Sequence, residues 1–151
     1  MKLNLGCADL IQPGYINVDK YAYSGVNIIT DLEQRWPWED NSIDEILAWD
    51  IIEHLHDKIR TMNEMWRVLK PGAQVYIIVP TTNGMGAFQD PTHVSYWNKN
   101  SFLYYELGSI YNTRFAKSYR IKALFKVTYY KLEQTFDGEK LHILLEAAKP
   151  G

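Results

Sequence analysis

The stretch Lys2-Leu3-Asn4-Leu5-Gly6-Cys7-Ala8 is an apolar run stopped by a glycine, and Ile16-Asn17-Val18-Asp19 follows as a second run closed by an acid. The pattern reads as strand, tight turn, strand, terminal carboxylate. An α/β sheet builds a nucleoside pocket in this way, beyond the carboxyl ends of its strands. Gly6 suits a turn that brings the main chain close to a ligand. Asp19, at a strand end, suits the two hydroxyls of a ribose, which a carboxylate binds through charge-assisted hydrogen bonds. Singly, a turn glycine and a capping aspartate explain these residues as well; their succession points to an adenosine-containing cofactor.

Working outward, short apolar runs at 2–6, 16–19, 26–30, 45–49 and 74–79 alternate with polar or helical segments, as parallel strands fed by crossovers do. Ile51, Ile52, Leu55, Ile59, Met62, Met65, Trp66 and Leu69 recur at helical spacing, which predicts a helix over 51–69 ended by Lys70-Pro71-Gly72. Thr81 to Gly86 form a polar loop where such sheets place ligands. A second helix is expected over 99–108, opened by Asn98 or Asn100 and closed by Gly108. Phe125–Gln134 and Leu141–Ala148 are extended runs joined across Asp137-Gly138, a hairpin signal, so the sheet is expected to end in an antiparallel pair.

The chain has 151 residues, 46% hydrophobic and 23% charged, with a formal net charge of -2 and one cysteine. That size suits one domain spanning 1–151, and no apolar run approaches the roughly 20 residues of a membrane span. Cys7 alone forms no disulfide framework, and the first residues lack a secretory signal's apolar core, so a cytoplasmic protein is the default expectation. The charge offers no footprint for nucleic acid; Arg114, Lys117, Arg120, Lys122 and Lys126 read as a solvated basic surface.

Several motifs, in order, resemble the class I S-adenosylmethionine-dependent methyltransferases. Leu3-Asn4-Leu5-Gly6-Cys7-Ala8 resembles the family's glycine motif, and Gly14 to Asp19 its second strand with the ribose-binding acid. Asp31-Leu32 resembles the segment after strand three, and Asn41 to Ile46 with Ile51-Ile52-Glu53-His54-Leu55 resembles strand four and its helix. Trp66 to Gly72 resembles the turn before strand five. The resemblance implies a Rossmann-like, mostly parallel sheet with a C-terminal antiparallel hairpin strand, and S-adenosylmethionine held by Asn4, Gly6, Cys7, Ala8, Asp19, Asp31, Leu32, Trp49 and Asp50. The chain departs from the family at Ala8, where a second glycine is usual, and at Asn4, where an acid is usual. Only Ala8 to Tyr15 separate the first two strands, too few for a full crossover, so the first helix is expected to be missing or reduced to a turn. Asp31 serves equally as a turn cap, and Glu53 as a helix cap.

The implied reaction, methyl transfer to a small-molecule or saccharide-type acceptor, needs a base only for a protonated nucleophile. His93, in Gln89-Asp90-Pro91-Thr92-His93, is the first candidate and His54 the second; a surface or structural role is the plainer account of either. His54, His56 and Asp57 make no metal site if they lie on one helix, where residues two apart face different ways, and no metal is expected. Tyr96, Trp97, Phe102, Tyr104, Tyr105 and Tyr111 suit a core, a subunit contact or an aromatic acceptor. A parallel sheet without its N-terminal helices leaves a face to cover, so a homodimer is expected. Two other readings remain: a degenerate fold of this type acting as a non-catalytic assembly or regulatory partner, and a nicotinamide-dependent oxidoreductase, for which the full glycine fingerprint and its spacing to the acid are lacking.

Overall fold

The computed structural model describes residues 1–151. Seven strands form one sheet in the order β3-β2-β1-β4-β5-β7-β6, with β1 (Lys2–Leu5), β2 (Ile16–Asp19), β3 (Ile28–Ile29), β4 (Ile43–Trp49), β5 (Leu69–Pro80), β6 (Phe125–Thr135) and β7 (Gly138–Ala147). The first five strands run parallel, and β7 runs antiparallel to both β5 and β6. The expected strands and the hairpin at Asp137-Gly138 are therefore present. The strand expected over 26–30 is reduced to two residues, and β5 begins at Leu69, paired with Ile43, before the expected 74.

Strand alternation sorts the residues onto two faces. Leu3, Leu5, Val18, Ile46, Ala48, Val75, Ile77, Ile143 and Leu145 belong to a buried core cluster of 28 residues. Onto it pack Met62, Met65 and Val68 of α1 (Lys58–Val68), with Phe102 and Tyr105 of a 3-10 segment (Lys99–Tyr105). The opposite face carries Asn4, Asn17, Glu45, Leu47, Trp49, Tyr76 and His142, none of them in that cluster. No helix links β1 to β2. The 8–15 turn folds over the opposite face instead: Asn4 Nδ2 donates to Leu10 O and to Asn17 Oδ1, both at 2.9 Å, and the Tyr15 hydroxyl donates to Glu45 Oε1 at 2.6 Å.

Two helix expectations need correction. The continuous helix over 51–69 is split into a 3-10 turn (Ile52–His54) and α1, because Leu55 is extended and the Asp57 side chain caps α1 by accepting from Arg60 N at 2.9 Å. The apolar spacing continues across the break because Ile52, in the 3-10 turn, and Leu55, just after it, reach the same core as α1. After β5 the polar loop leads into α2, a single turn (Gly86–Gln89). The helix over 99–108 is a 3-10 segment ending at Tyr105, its start fixed by a capping box between Asn98 and Ser101. Beyond Gly108 lies α3 (Ile110–Tyr119), which no periodicity announces because none of its residues is buried. The basic residues at 114, 117, 120, 122 and 126 are all exposed.

Candidate functional site

The carboxyl ends of β1, β2 and β4 open onto a cleft of about 580 Å³, and the end of β5 with the β6–β7 hairpin opens onto a second of about 230 Å³. Both are lined by Asp50 and His54, so the two clefts meet at these residues.

In the larger cleft the backbone leaves ordinary dihedral space three times, at Gly6 (φ 62), Ala8 (φ 46) and Asp50 (φ 52). At Gly6 a side chain is excluded twice over, since an added Cβ would also lie 2.5 Å from Ile51 Cδ1. The space beside Gly6 is thus taken by Ile51, which itself lines the cleft. Ala8 holds a left-handed conformation that glycine adopts without strain, which explains physically why glycine suits this position. Asp19 is buried to 9% exposure and ties the turn together, Oδ2 accepting from Ala8 N at 2.9 Å and Oδ1 from Tyr21 N at 3.0 Å. Asp31 closes an Asx-type turn by accepting from Glu33 N at 2.9 Å, and it lines the cleft as well.

Gly6, Ala8, Asp19, Asp31, Leu32 and Asp50 therefore come together around one cleft. Asn4, Cys7 and Trp49 do not line it. Asn4 is committed to Leu10 and Asn17, Cys7 is buried beneath the turn, and Trp49 lies against Tyr76 on the opposite sheet face with a buried, unpartnered indole N–H. The reason for Trp49 is alternation: Asp50 leaves the strand, whereas Trp49 is still within it. Tyr21 and Tyr23, in the segment after Asp19, also line this cleft; the run Tyr21-Ala22-Tyr23 was the signal available for them.

The smaller cleft is lined mainly by polar and charged residues, with Pro80 its one apolar side chain, and gathers Asp50, Glu53, His54, Asp90, His93, Asp137, Glu139 and Lys140. His93 arrives there because Val94 and Ser95 both donate their amides to Glu53 O, at 2.8 and 3.1 Å, locking its loop to the 3-10 turn. Its Nδ1 lies 3.0 Å from Ala87 O, a carbonyl that only accepts, so Nδ1 carries a proton and, in the neutral ring, Nε2 is the nitrogen with the lone pair. His54 is fixed similarly. The Thr92 hydroxyl donates to Asp90 Oδ1 at 2.7 Å and accepts from His54 Nδ1 at 3.1 Å, leaving Nε2 bare. Burial and the adjacent His93 hold His54 below the ordinary imidazole value. Glu53 is 2% exposed with Oε1 unpartnered, and burial pushes its carboxyl up to about 8. Lys140 Nζ donates to both oxygens of Asp50, at 3.0 and 3.1 Å.

His56 turns away from this group and pairs with Glu33, so the cluster with metal-ligating chemistry is Glu53, His54 and His93 rather than His54, His56 and Asp57. The helix argument that separated the histidines no longer applies, since His54 stands in the 3-10 turn and His56 beyond it.

Residues 11–77 match the family described as a methyltransferase domain. No curated protein sequence matches the chain. Among solved structures, one chain of a complex formed by the Haloferax volcanii Trm112 methyltransferase activator is 14% identical with a TM-score of 0.67, aligning over 98% of this chain and 82% of that one. A SAM-dependent methyltransferase from Methanosarcina mazei is 13% identical with a TM-score of 0.65, over 99% and 92%. The [4+2]-cyclase SpnF, 13% identical with a TM-score of 0.68 over 99% and 74%, shows that the same fold hosts other chemistry.

Proposed function

We propose that this chain is a class I S-adenosylmethionine-dependent methyltransferase, a reading supported by its fold and by the domain match over 11–77, and that it transfers the methyl group to a polar small-molecule or saccharide-type acceptor held in the smaller cleft. The observation that carries the reading is the junction of the clefts. A nucleoside-sized, partly apolar space ends at Asp50 and His54, where a space lined mainly by polar and charged residues begins. A methyl group held at that junction faces the acceptor in line, and positioning supplies most of the acceleration of such a displacement.

In this reading Asp19 binds the ribose hydroxyls, Asp31 and Leu32 flank the adenine, and Gly6, Ala8 and Asp50 surround the amino-acid end. In the metal-free protein a hydroxyl acceptor gives its proton to His93 Nε2, with His54 Nε2 the second acceptor. Both tautomers are set by their neighbours for this task. The lining, mainly charged and polar and without an aromatic ring other than the two imidazoles, favours a hydroxyl- or amine-rich acceptor over an aromatic one.

No helix in the chain is long and apolar enough to cross a membrane. A second copy on the sheet face bearing Trp49, Tyr76 and the exposed Tyr129 is the partner this reading assigns, since a parallel sheet is normally covered on both faces. Light scattering at twice the 17.6 kDa chain mass supports it, and a monomeric mass removes it.

The function is tested by calorimetric titration with S-adenosylmethionine and S-adenosylhomocysteine, with NADH as control, followed by transfer of tritiated methyl to a panel of saccharides, polyols and amines. Saturable binding of the first two and label in a polar acceptor are expected. A folded protein that binds neither would act as a non-catalytic partner, and the catalytic reading would be lost.

A further inference from the structure

We propose that Glu53, His54 and His93 form a binding site for one divalent transition-metal cation in the floor of the smaller cleft. The proposal rests on the functional reading only in its consequence for the acceptor; the cation site itself stands on geometry.

One donor atom from each of the three residues lies within 4.8 Å of the other two. Both imidazoles are held by hydrogen bonds at Nδ1, His93 to the Ala87 carbonyl and His54 to the Thr92 hydroxyl, so in the neutral rings Nε2 is the nitrogen left to coordinate. A ring nitrogen anchored by a carbonyl or hydroxyl, with the other free, is the outer-shell arrangement that orients metal-binding histidines. Glu53 supplies the independent sign of a missing ligand. It is 2% exposed, its Oε1 has no partner, and its Oε2 lies 4.0 Å from His93 Nε2. A buried carboxyl group with an oxygen lacking a hydrogen bond is costly, and a cation held by this carboxyl, which releases its proton on binding, offsets that cost. Asp90 Oδ2, 3.6 Å from His93 Nε2 and partly exposed, stands at the rim as a further oxygen donor.

Two imidazole nitrogens and one carboxylate oxygen suit zinc, iron(II), cobalt(II) or nickel(II) better than magnesium or calcium, which prefer all-oxygen sets. Metal–ligand bonds of about 2.1 Å place donors roughly 3.4 Å apart in a tetrahedral site, so the three groups must close by about 1 Å or a little more. Three protein ligands leave a coordination position open to the cleft. An acceptor hydroxyl bound there is acidified by the cation, which takes over the task the imidazole lone pairs have in the metal-free protein. The methyl carbon then bonds to that oxygen, the C–S electron pair stays on sulfur, and the hydroxyl proton passes to solvent.

The test is calorimetric titration of chelator-stripped protein with Zn²⁺, paralleled by the visible absorption of Co²⁺, without cofactor or acceptor. One ion per chain is expected. Glu53→Gln, His54→Ala and His93→Ala should each weaken binding by at least about tenfold, with circular dichroism showing that each variant is folded. The double variant His56→Ala/His142→Ala, which removes the other two imidazoles, should bind as the wild type does. Absence of saturable binding overturns the proposal, as does binding that survives the first three substitutions or that the double variant abolishes. S-adenosylhomocysteine titrated into the same samples reports separately on the functional reading. Cation binding without nucleoside binding keeps the metal site and removes the methyltransferase reading, and the converse removes the metal site alone.

Discussion

Asp19 Oδ2 accepts a hydrogen bond from the Ala8 amide at 2.9 Å, so the residue proposed to hold the ribose also holds the turn that follows β1. The Asp19 carboxylate is buried and takes a second amide from Tyr21. An exposed strand-end acid could be removed at little cost, but Asp19 is buried and its removal leaves two amides without their acceptor. Asp19→Ala is expected to lower S-adenosylhomocysteine affinity at least tenfold and to destabilise the fold by about 1–3 kcal/mol. Asp19→Asn should recover much of the stability and little of the affinity. Calorimetry and thermal melting read the two effects, and an unchanged affinity in Asp19→Ala would place the nucleoside elsewhere.

Gly6→Ala should destabilise the chain by about 2–4 kcal/mol, because it combines a positive φ with a Cβ only 2.5 Å from Ile51 Cδ1. Adding Ile51→Ala removes the contacts at Cδ1 and Cγ1 but keeps the residue-51 Cβ at 2.8 Å, so it relieves the clash in part and leaves the dihedral strain; the double variant should melt above the Gly6→Ala single. Equal melting temperatures would show that the dihedral alone matters.

Ala8→Gly is expected to stabilise the protein by up to about 1 kcal/mol, since glycine occupies φ 46 without the left-handed strain of alanine and the gain exceeds the added unfolded-state entropy. Denaturant unfolding measures it; a loss of stability would mean that the Ala8 methyl group makes packing contacts that outweigh the strain.

Lys140 neutralises Asp50 where the two clefts meet. Lys140→Met leaves that carboxylate unpaired beside the sulfonium, so affinity for the cationic S-adenosylmethionine should rise about 3–10-fold relative to the neutral-sulfur S-adenosylhomocysteine, and more at low salt. A ratio of the two dissociation constants equal to the wild-type value would separate Asp50 from the sulfonium.

Acid stability should depend on Glu64. Burial raises its carboxyl, but hydrogen bonds from Arg67 and from Trp36 N outweigh that effect and hold it below its ordinary value of 4.5. A depressed carboxylate contributes stability that is fully present above the unfolded value and is lost as pH falls through the folded one. Wild type should therefore lose stability below about pH 4.5 in part through this residue, and Glu64→Gln should start less stable and show a shallower acid limb. Arg67 also donates to the carbonyls of Trp36 and Trp38. Arg67→Met should accordingly loosen the 36–40 segment and cost about 2 kcal/mol or more. Parallel acid limbs for wild type and Glu64→Gln would remove Glu64 from the account.

The strands, their mostly parallel order, the closing hairpin and the absent first helix were legible because local signals carry them. Period-two alternation at Leu3-Asn4-Leu5, the short Ala8 to Tyr15 connection ahead of Ile16, and Asp137-Gly138 each act over a few residues. Gly6, Asp19 and Asp50 were legible as strand-end residues for the same reason. Tertiary structure decided the rest. It broke the 51–69 helix at Leu55, turned Trp49 away from the cleft, placed Ile51 over Gly6 and carried His93 from its own loop to stand beside His54 and Glu53. These outcomes depend on which side chains meet after the sheet closes, on Val94 and Ser95 reaching the Glu53 carbonyl and on Thr92 and Ala87 choosing the histidine tautomers, and contacts of that range leave no periodic trace in the chain.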